Sequence, residues 1–102
     1  MKIYLDDHRD TPAGWTRATH PNEVISWILQ GEAEVIDLDY HLGNDKKYTG
    51  LTVLKWLQNE IGERRIPSVV PRIMIHTDDP EAREIMEGIR TRIYEWIGRT
   101  VA

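Results

Sequence analysis

The sequence contains no cysteine, which excludes disulfide bonds, thiolate catalysis and cysteine-based metal sites. It also lacks any apolar run close to the ~18 residues that a membrane-spanning helix requires. Acidic residues enter at the sixth position, and this composition does not fit a signal peptide. We therefore expect a cytoplasmic protein that does not engage membranes.

Positive charge is also scarce. The chain has 13 lysines and arginines against 17 aspartates and glutamates, and its formal net charge is −4 at pH 7. A surface for duplex nucleic acid is normally basic, so general duplex binding is not expected. A small phosphate-containing substrate or an RNA end can still bind where a cation or local donors offset the negative charge. The sequence indicates no particular oligomeric state.

Low-complexity segments and repeats are absent as well, and the length of 102 residues predicts a single domain, residues 1–102. Short β-branched runs predict strands, and apolar residues at helical spacing between them predict helices. The predicted strands are Lys2–Leu5, Trp15–Thr19, Val35–Leu38 and Arg72–Ile75. The predicted helices are Asn22–Gln30, Gly50–Ile61, and a third that starts at Pro80 after an Asp79 cap and runs past Ile97 to Gly98.

This alternation of strands and helices favours a small three-layer αβα fold with a parallel sheet of three or four strands. Ligands bind such sheets beyond the carboxyl ends of the strands. The segments that follow the predicted strands there are Asp6-Asp7-His8-Arg9, Asp39-Tyr40-His41 and His76-Thr77-Asp78-Asp79. Three of the four histidines fall in these segments, so this edge of the sheet is the predicted functional site.

Crowded carboxylates at this edge point to a metal. Asp6, Asp7 and Asp39 would repel one another and raise one another's pKa, so their proximity is costly without a cation. A hard divalent ion held by carboxylates, water and phosphate resolves that conflict. We predict that these three residues bind Mg²⁺, with Mn²⁺ as an alternative.

Several neighbouring polar residues also have local structural interpretations. Asp78 and Asp79 suit a turn or a helix cap, and His20 beside a proline suits the same role. Asp37 lies inside a predicted strand, where it can serve as a hydrogen-bond acceptor. His8 can be a solvated turn residue. These alternatives stay open at the level of the sequence.

Four motifs in order resemble a known family. They read LDDHR, IDLDYHLG, TGLTVLKWL and MIHTDDPEAREIM, and they extend from Lys2 to about Ile89. In these motifs the chain is similar to the cyclic-phosphate-processing receiver domains, compact relatives of two-component receivers. The resemblance implies a truncated receiver-like, flavodoxin-like fold.

The resemblance also assigns positions. Asp6 and Asp7 match the acidic pair of the family, and Asp39 matches the acid that accepts phosphate in ordinary receivers. The remaining matches are Arg9, Leu42, Gly43, Thr49, Gly50, His76 and Thr77. Tyr40-His41 replaces the His-Asp pair of the family, so one acid is missing and a histidine has moved by one place.

The family name implies that a cyclic phosphate is opened, at an RNA terminus or in a cyclic nucleotide. We therefore predict a metal-dependent phosphoesterase in which His76 and His41 move protons and Asp39 takes part in catalysis. Gly50, at a predicted helix start, would let backbone N–H groups approach a phosphate. The other predicted phosphate-binding residues are Arg9, Thr49 and Thr77.

Two further functions stay open. One is a stand-alone receiver phosphorylated on Asp39, although the lysine that follows a later strand in ordinary receivers is missing here. His76, Arg9 or the loop pair Lys46-Lys47 could partly replace that cation. The other is a non-catalytic module that binds a cyclic nucleotide or a protein.

Overall fold

The computed structural model describes residues 1–43 and 46–101, with only the helical backbone described for residues 99–101. Its elements are β1 (Lys2–Leu5), β2 (Thr16–Ala18), α1 (Pro21–Leu29), β3 (Val35–Leu38), α2 (Gly50–Gly62), β4 (Arg72–Ile75) and α3 (Pro80–Val101). All four predicted strands and all three predicted helices are present. Their bounds differ from the prediction mostly by one residue, and α3 continues past Gly98 instead of ending there.

The four strands form one parallel sheet in the order β2-β1-β3-β4. With three helices, this α/β architecture is consistent with a receiver-like flavodoxin fold and confirms the predicted parallel sheet. The register aligns Leu5 of β1 with Leu38 of β3, and Leu38 with Ile75 of β4. The residue that follows each of these strands therefore lies in one row along the carboxyl edge of the sheet.

The apolar core lies between the helices and one face of the sheet. Alternate strand residues enter it because side chains alternate between the two faces of a strand. The sheet residues in this core are Ile3, Leu5, Ile36, Leu38 and Ile73, and α1, α2 and α3 add residues such as Ile28, Leu57 and Met86. The opposite face of the sheet carries Tyr4, Asp37 and the partly exposed Met74.

Each helix begins at a satisfied cap. The imidazole of His20 accepts the N–H of Asn22 at 3.0 Å, so the predicted capping role of His20 is confirmed. The carboxylate of Asp79 accepts the N–H of Ala82 at 3.1 Å at the start of α3, which confirms that cap too. Thr49 caps α2 by accepting the N–H of Leu51 at 3.2 Å. These bonds satisfy donors that a helix leaves unpaired at its first turn.

Side chains of α3 cover the outer edge of β4. The N–H of Ile73 donates to the hydroxyl of Tyr94 at 2.8 Å, and the guanidinium of Arg90 donates to the carbonyl of Ile73 at 3.4 Å. Arg83 reaches the carbonyls of Ile75 and Thr77 at 3.4 and 3.0 Å. An uncovered edge strand would offer these groups to another chain. Side chains of α3 therefore bond to backbone groups at the outer edge of β4, which another strand would otherwise pair.

None of the helices in the described part of the chain combines the length and the apolar character that crossing a bilayer demands.

Candidate functional site

The ends of three neighbouring strands bring Asp6, Asp39 and His76 together. The N–H of Asp39 donates to the carbonyl of Leu5, and the N–H of His76 donates to the carbonyl of Leu38, each at 3.0 Å. These ladder bonds continue the sheet by one residue and fix the three side chains in one row. One potential ligand atom from each side chain lies within 4.8 Å of the other two. The predicted convergence of acids at this edge is present.

Asp6 is completely buried, and nitrogen donors surround it. Its Oδ1 accepts the N–H groups of His8 and Arg9 at 2.8 and 3.0 Å. Its Oδ2 lies 3.0 Å from Nη1 of Arg9 and 2.9 Å from Nε2 of His76. Burial acts to raise the pKa of Asp6, but these hydrogen bonds together hold that pKa far below its usual value. Asp6 is therefore a fixed buried anion.

The guanidinium of Arg9 lies between two of the carboxylates for which the sequence predicted a divalent cation. Nη1 bridges Oδ2 of Asp6 at 3.0 Å and Oδ2 of Asp39 at 3.2 Å. Nη2 contacts the carboxylate of Asp78, whose side chain is almost fully exposed. The bond to Asp6, with the charges of Asp39 and Asp78, raises the pKa of Arg9. One arginine thus holds two buried carboxylates and one at the rim.

His76 lies between two carboxylates behind this arginine. Nδ1 is 2.7 Å from Oδ1 of Asp37, and Nε2 is 2.9 Å from Oδ2 of Asp6. The ring stacks on Tyr4 with centroids 4.3 Å apart and planes 6° apart. Burial acts to lower the pKa of His76, but the bonds to Asp37 and Asp6 raise it above its ordinary value. The doubly protonated imidazolium satisfies both acceptors, because a neutral imidazole has only one N–H to donate.

Asp39 is the buried acid that opens toward solvent. Its Oδ1 accepts the N–H of Tyr40 at 2.8 Å, and its Oδ2 takes the bond from Arg9. Burial, with the nearby charge of Asp6, raises the pKa of Asp39. Its ionised form is therefore less stabilised than that of Asp6, and added positive charge would stabilise it.

A cleft of about 410 Å³ opens above Asp39, and we call it the acidic cleft. Its lining residues are Asp7, His8, Arg9, Asp39, His41, Gly43, Thr77 and Asp78. His76 and Asp6 are not among these described lining residues: Asp6 is fully buried and bonds to both Arg9 and His76. Among the predicted acids and histidines, Asp7, Asp39 and His41 line the cleft, whereas Asp6 and His76 support it.

His41 lines the acidic cleft and contacts Asp79, the residue that caps α3. Its Nε2 lies 3.0 Å from Oδ2 of Asp79, while Oδ1 of Asp79 accepts the N–H of Ala82. The bond from Ala82, together with that from His41, lowers the pKa of Asp79, so its carboxylate stays ionised. In a neutral His41, a bond to this carboxylate requires the proton on Nε2, and the lone pair is then on Nδ1.

Asp7 enters the acidic cleft beside a glycine. Gly43 has a φ of 60°, and a Cβ at this position would lie 2.7 Å from Oδ2 of Asp7. A larger residue would be strained at this φ, and the Asp7 carboxylate would have to shift. Gly43 therefore permits the close approach of Asp7 to the loop that follows β3.

The charges around the acidic cleft fit a divalent cation. Arg9 and His76 contact the carboxylates of Asp6, Asp37, Asp39 and Asp78, and Asp7 also lines the cleft. Apart from the His41–Asp79 pair, five formal negative charges therefore face the two positive charges of Arg9 and His76, an excess of three. Asp7 and Asp39 present oxygens to the cleft, and carboxylate oxygen is the donor that Mg²⁺ prefers. Four donors already occupy the oxygens of Asp6, so we expect Asp6 to support the site from behind.

Thr49 and Gly50 lie beside the acidic cleft instead of lining it. The N–H of Gly50 donates to the carbonyl of Tyr40 at 3.1 Å. A Cβ on Gly50 would lie only 1.8 Å from the carbonyl oxygen of Asp39. The glycine thus lets the start of α2 pack against the end of β3. Thr77 is buried, and its hydroxyl accepts the N–H of Asp79 at 3.2 Å.

A comparison with models of protein families matches residues 1–92 to the family described as the cyclic-phosphate processing receiver domain. This range includes every residue of the acidic cleft and its supporting layer. No curated protein matches the chain, and no solved structure matches it.

Proposed function

This chain belongs to the cyclic-phosphate processing receiver domain family, and on that premise we propose that it opens a cyclic phosphate ester by metal-dependent hydrolysis in the acidic cleft. The observation that carries this proposal is the pairing of His41 with Asp79 beside Asp39 and Asp7. His41, Asp7 and Asp39 all line this one cleft, and the ionised Asp79 supports His41 from outside it.

The metal would be held by Asp7 and Asp39, whose carboxylate oxygens suit Mg²⁺ and also Mn²⁺. When bound, such an ion offsets the negative charge of the cleft and of the phosphoryl oxygens that enter it. The raised pKa of Asp39 accords with a carboxylate that gains most from added positive charge.

Arg9 is placed to orient the substrate. Its Nη1 is fixed by Asp6 and Asp39, whereas Nη2 bonds, among the residues that the structure describes, to the exposed Asp78. An exposed ion pair contributes little, so a phosphoryl oxygen can replace Asp78 on Nη2 at small cost. Arg9 would then donate to an equatorial oxygen from a position that Asp6 has already fixed.

His41 is the residue we assign to proton transfer. Nδ1 would take a proton from a water molecule as the water oxygen bonds to phosphorus. One P–O bond of the ring breaks, and the leaving oxygen takes the proton back, so the product is a phosphate monoester. Asp79 keeps Nε2 protonated throughout. His76 would act as a positioning residue, because it bonds to Asp6 and its ring is held by stacking on Tyr4.

The test is a comparison of histidine variants on a panel of cyclic phosphates with Mg²⁺ or Mn²⁺. We expect His41→Gln to lower kcat by roughly 10²-fold, a typical loss for a general base, with little change in metal binding. His20→Asn is the matched control, because it removes an imidazole but keeps a side chain that caps α1 well. If wild-type protein hydrolyses a substrate and His41→Gln hydrolyses it with the same kcat, this assignment is wrong.

A further inference from the structure

A second cleft, of about 290 Å³, lies at the start of α2. Its lining residues are Tyr40, Lys46, Lys47, Thr49, Leu51, Thr52 and Lys55, and we call it the lysine cleft. Three of the four lysines of the chain line it, and its described lining includes no acid. Such a concentration of one charge is notable in a chain whose net charge is −4.

Some basic side chains elsewhere on the surface are neutralised by carboxylates. Arg9, Arg65 and Arg83 each form an ion pair with a carboxylate. No carboxylate among the described residues pairs with Lys46 or Lys55. Lys46 and Lys55 bring like charges to one cleft, and an anion bound there would offset their repulsion. An anionic ligand is therefore the partner that this cleft fits.

The lysine cleft and the acidic cleft share a wall. Tyr40 lines the lysine cleft, its neighbour His41 lines the acidic cleft, and their rings meet edge to face with centroids 4.7 Å apart. The bond from Gly50 to the carbonyl of Tyr40 fixes the start of α2 against the same segment. A ligand that occupies the acidic cleft can therefore extend over this wall into the lysine cleft.

We infer that the lysine cleft binds a second phosphate of the substrate, separate from the cyclic phosphate that enters the acidic cleft. This inference rests on the proposed function and narrows its substrate class to cyclic phosphates that carry a further phosphate group. The second group can be a phosphate monoester on the same nucleotide or the neighbouring phosphodiester of an RNA end. Lysines are flexible point charges, so they recognise phosphate charge without demanding a fixed geometry.

Three ligands test the inference. The first is a nucleoside 2′,3′-cyclic phosphate with a free 5′-hydroxyl, the second adds a 5′-phosphate, and the third is a dinucleotide ending in the same cyclic phosphate. We expect KM to be about tenfold lower for a ligand with a second phosphate, as one or two charge-assisted bonds would give, with similar kcat. If the second ligand has the lower KM, the second group is a phosphate monoester on the same nucleotide. If the third has the lower KM, it is the neighbouring phosphodiester of an RNA end.

The double variant Lys46→Gln/Lys55→Gln should remove this preference and leave kcat for the first ligand unchanged. Lys2→Gln, which changes the one lysine outside the cleft, is the matched control and should retain the preference. Raising the salt concentration should weaken binding of the second and third ligands more than of the first. Equal KM values for all three ligands would overturn the inference.

A binding measurement separates this inference from the proposed function. Calorimetric titration of His41→Gln with the same three ligands, in the presence of Mg²⁺, needs no turnover. Suppose that the protein binds ligands with a second phosphate more tightly and that adding Lys46→Gln/Lys55→Gln abolishes this preference. That result would support the lysine cleft even if wild-type protein hydrolyses nothing. Turnover without any such preference would support the proposed function and refute the lysine cleft.

Discussion

Arg9→Gln tests whether one guanidinium neutralises the buried carboxylates. The variant keeps a polar side chain but removes the positive charge 3.0 Å from Asp6 and 3.2 Å from Asp39. Removing one partner of a buried ion pair costs about 3–5 kcal/mol, since an uncompensated charge stays behind. The Arg9 side chain is 36% exposed, so solvent screening reduces this value, and we expect a loss of about 2 kcal/mol in the free energy of unfolding.

The assay is urea denaturation at pH 7 with chelator present. In the Arg9→Gln background, adding Asp39→Asn should recover part of the lost stability, because a repelling charge next to Asp6 is removed. Arg65→Gln is the matched control, because its ion pair with Glu60 lies at the surface, and its effect should be small. If Arg9→Gln and Arg65→Gln were equally stable, the guanidinium would not be the neutralising charge.

Three further predictions concern the supporting structure. Because the pKa of His76 is raised in the folded state, protonated His76 stabilises the fold fully below its unfolded pKa of about 6.5. This stabilisation is lost as pH rises through the higher folded pKa. In His76→Gln, the free energy of unfolding measured with chelator should no longer fall over this pH range. Gly50→Ala should destabilise the fold by about 3 kcal/mol or more, because the added Cβ would clash with the Asp39 carbonyl. Gly88→Ala in α3 is the control in the same urea assay: its Cβ would have no neighbour within 4 Å, so it should stabilise the fold slightly. Tyr94→Phe should cost about 1 kcal/mol and speed amide exchange at Ile73, whose N–H loses its acceptor; unchanged exchange would show that α3 does not protect the edge of β4.

Much of the fold follows from local patterns in the sequence. Each β-branched run becomes a strand, and His20 and Asp79 cap the helices for which they were proposed. The row of Asp6, Asp39 and His76 was also foreseeable, since parallel strands bring their carboxyl ends to one edge. These features depend on short-range chemistry and one topological rule.

The pairing of charges within the site was not foreseeable in the same way. Asp37 reaches His76 because it lies two residues before Asp39 and shares a face of the sheet with Tyr4, a contact that depends on strand register. Arg9 turns back onto Asp6 because two backbone N–H groups fold the chain around that carboxylate. The sequence indicates that these acids lie near one another, but it does not show with which cation each acid forms an ion pair.

The most direct test of the account is a ³¹P NMR time course of wild-type protein with a nucleoside 2′,3′-cyclic phosphate, run with Mg²⁺ and with chelator. The account predicts that the cyclic phosphate signal is replaced by that of a phosphate monoester only when metal is present. An unchanged spectrum across the cyclic-phosphate panel, together with an acid-labile adduct from acetyl phosphate that Asp39→Asn abolishes, would contradict it and identify a phospho-accepting receiver.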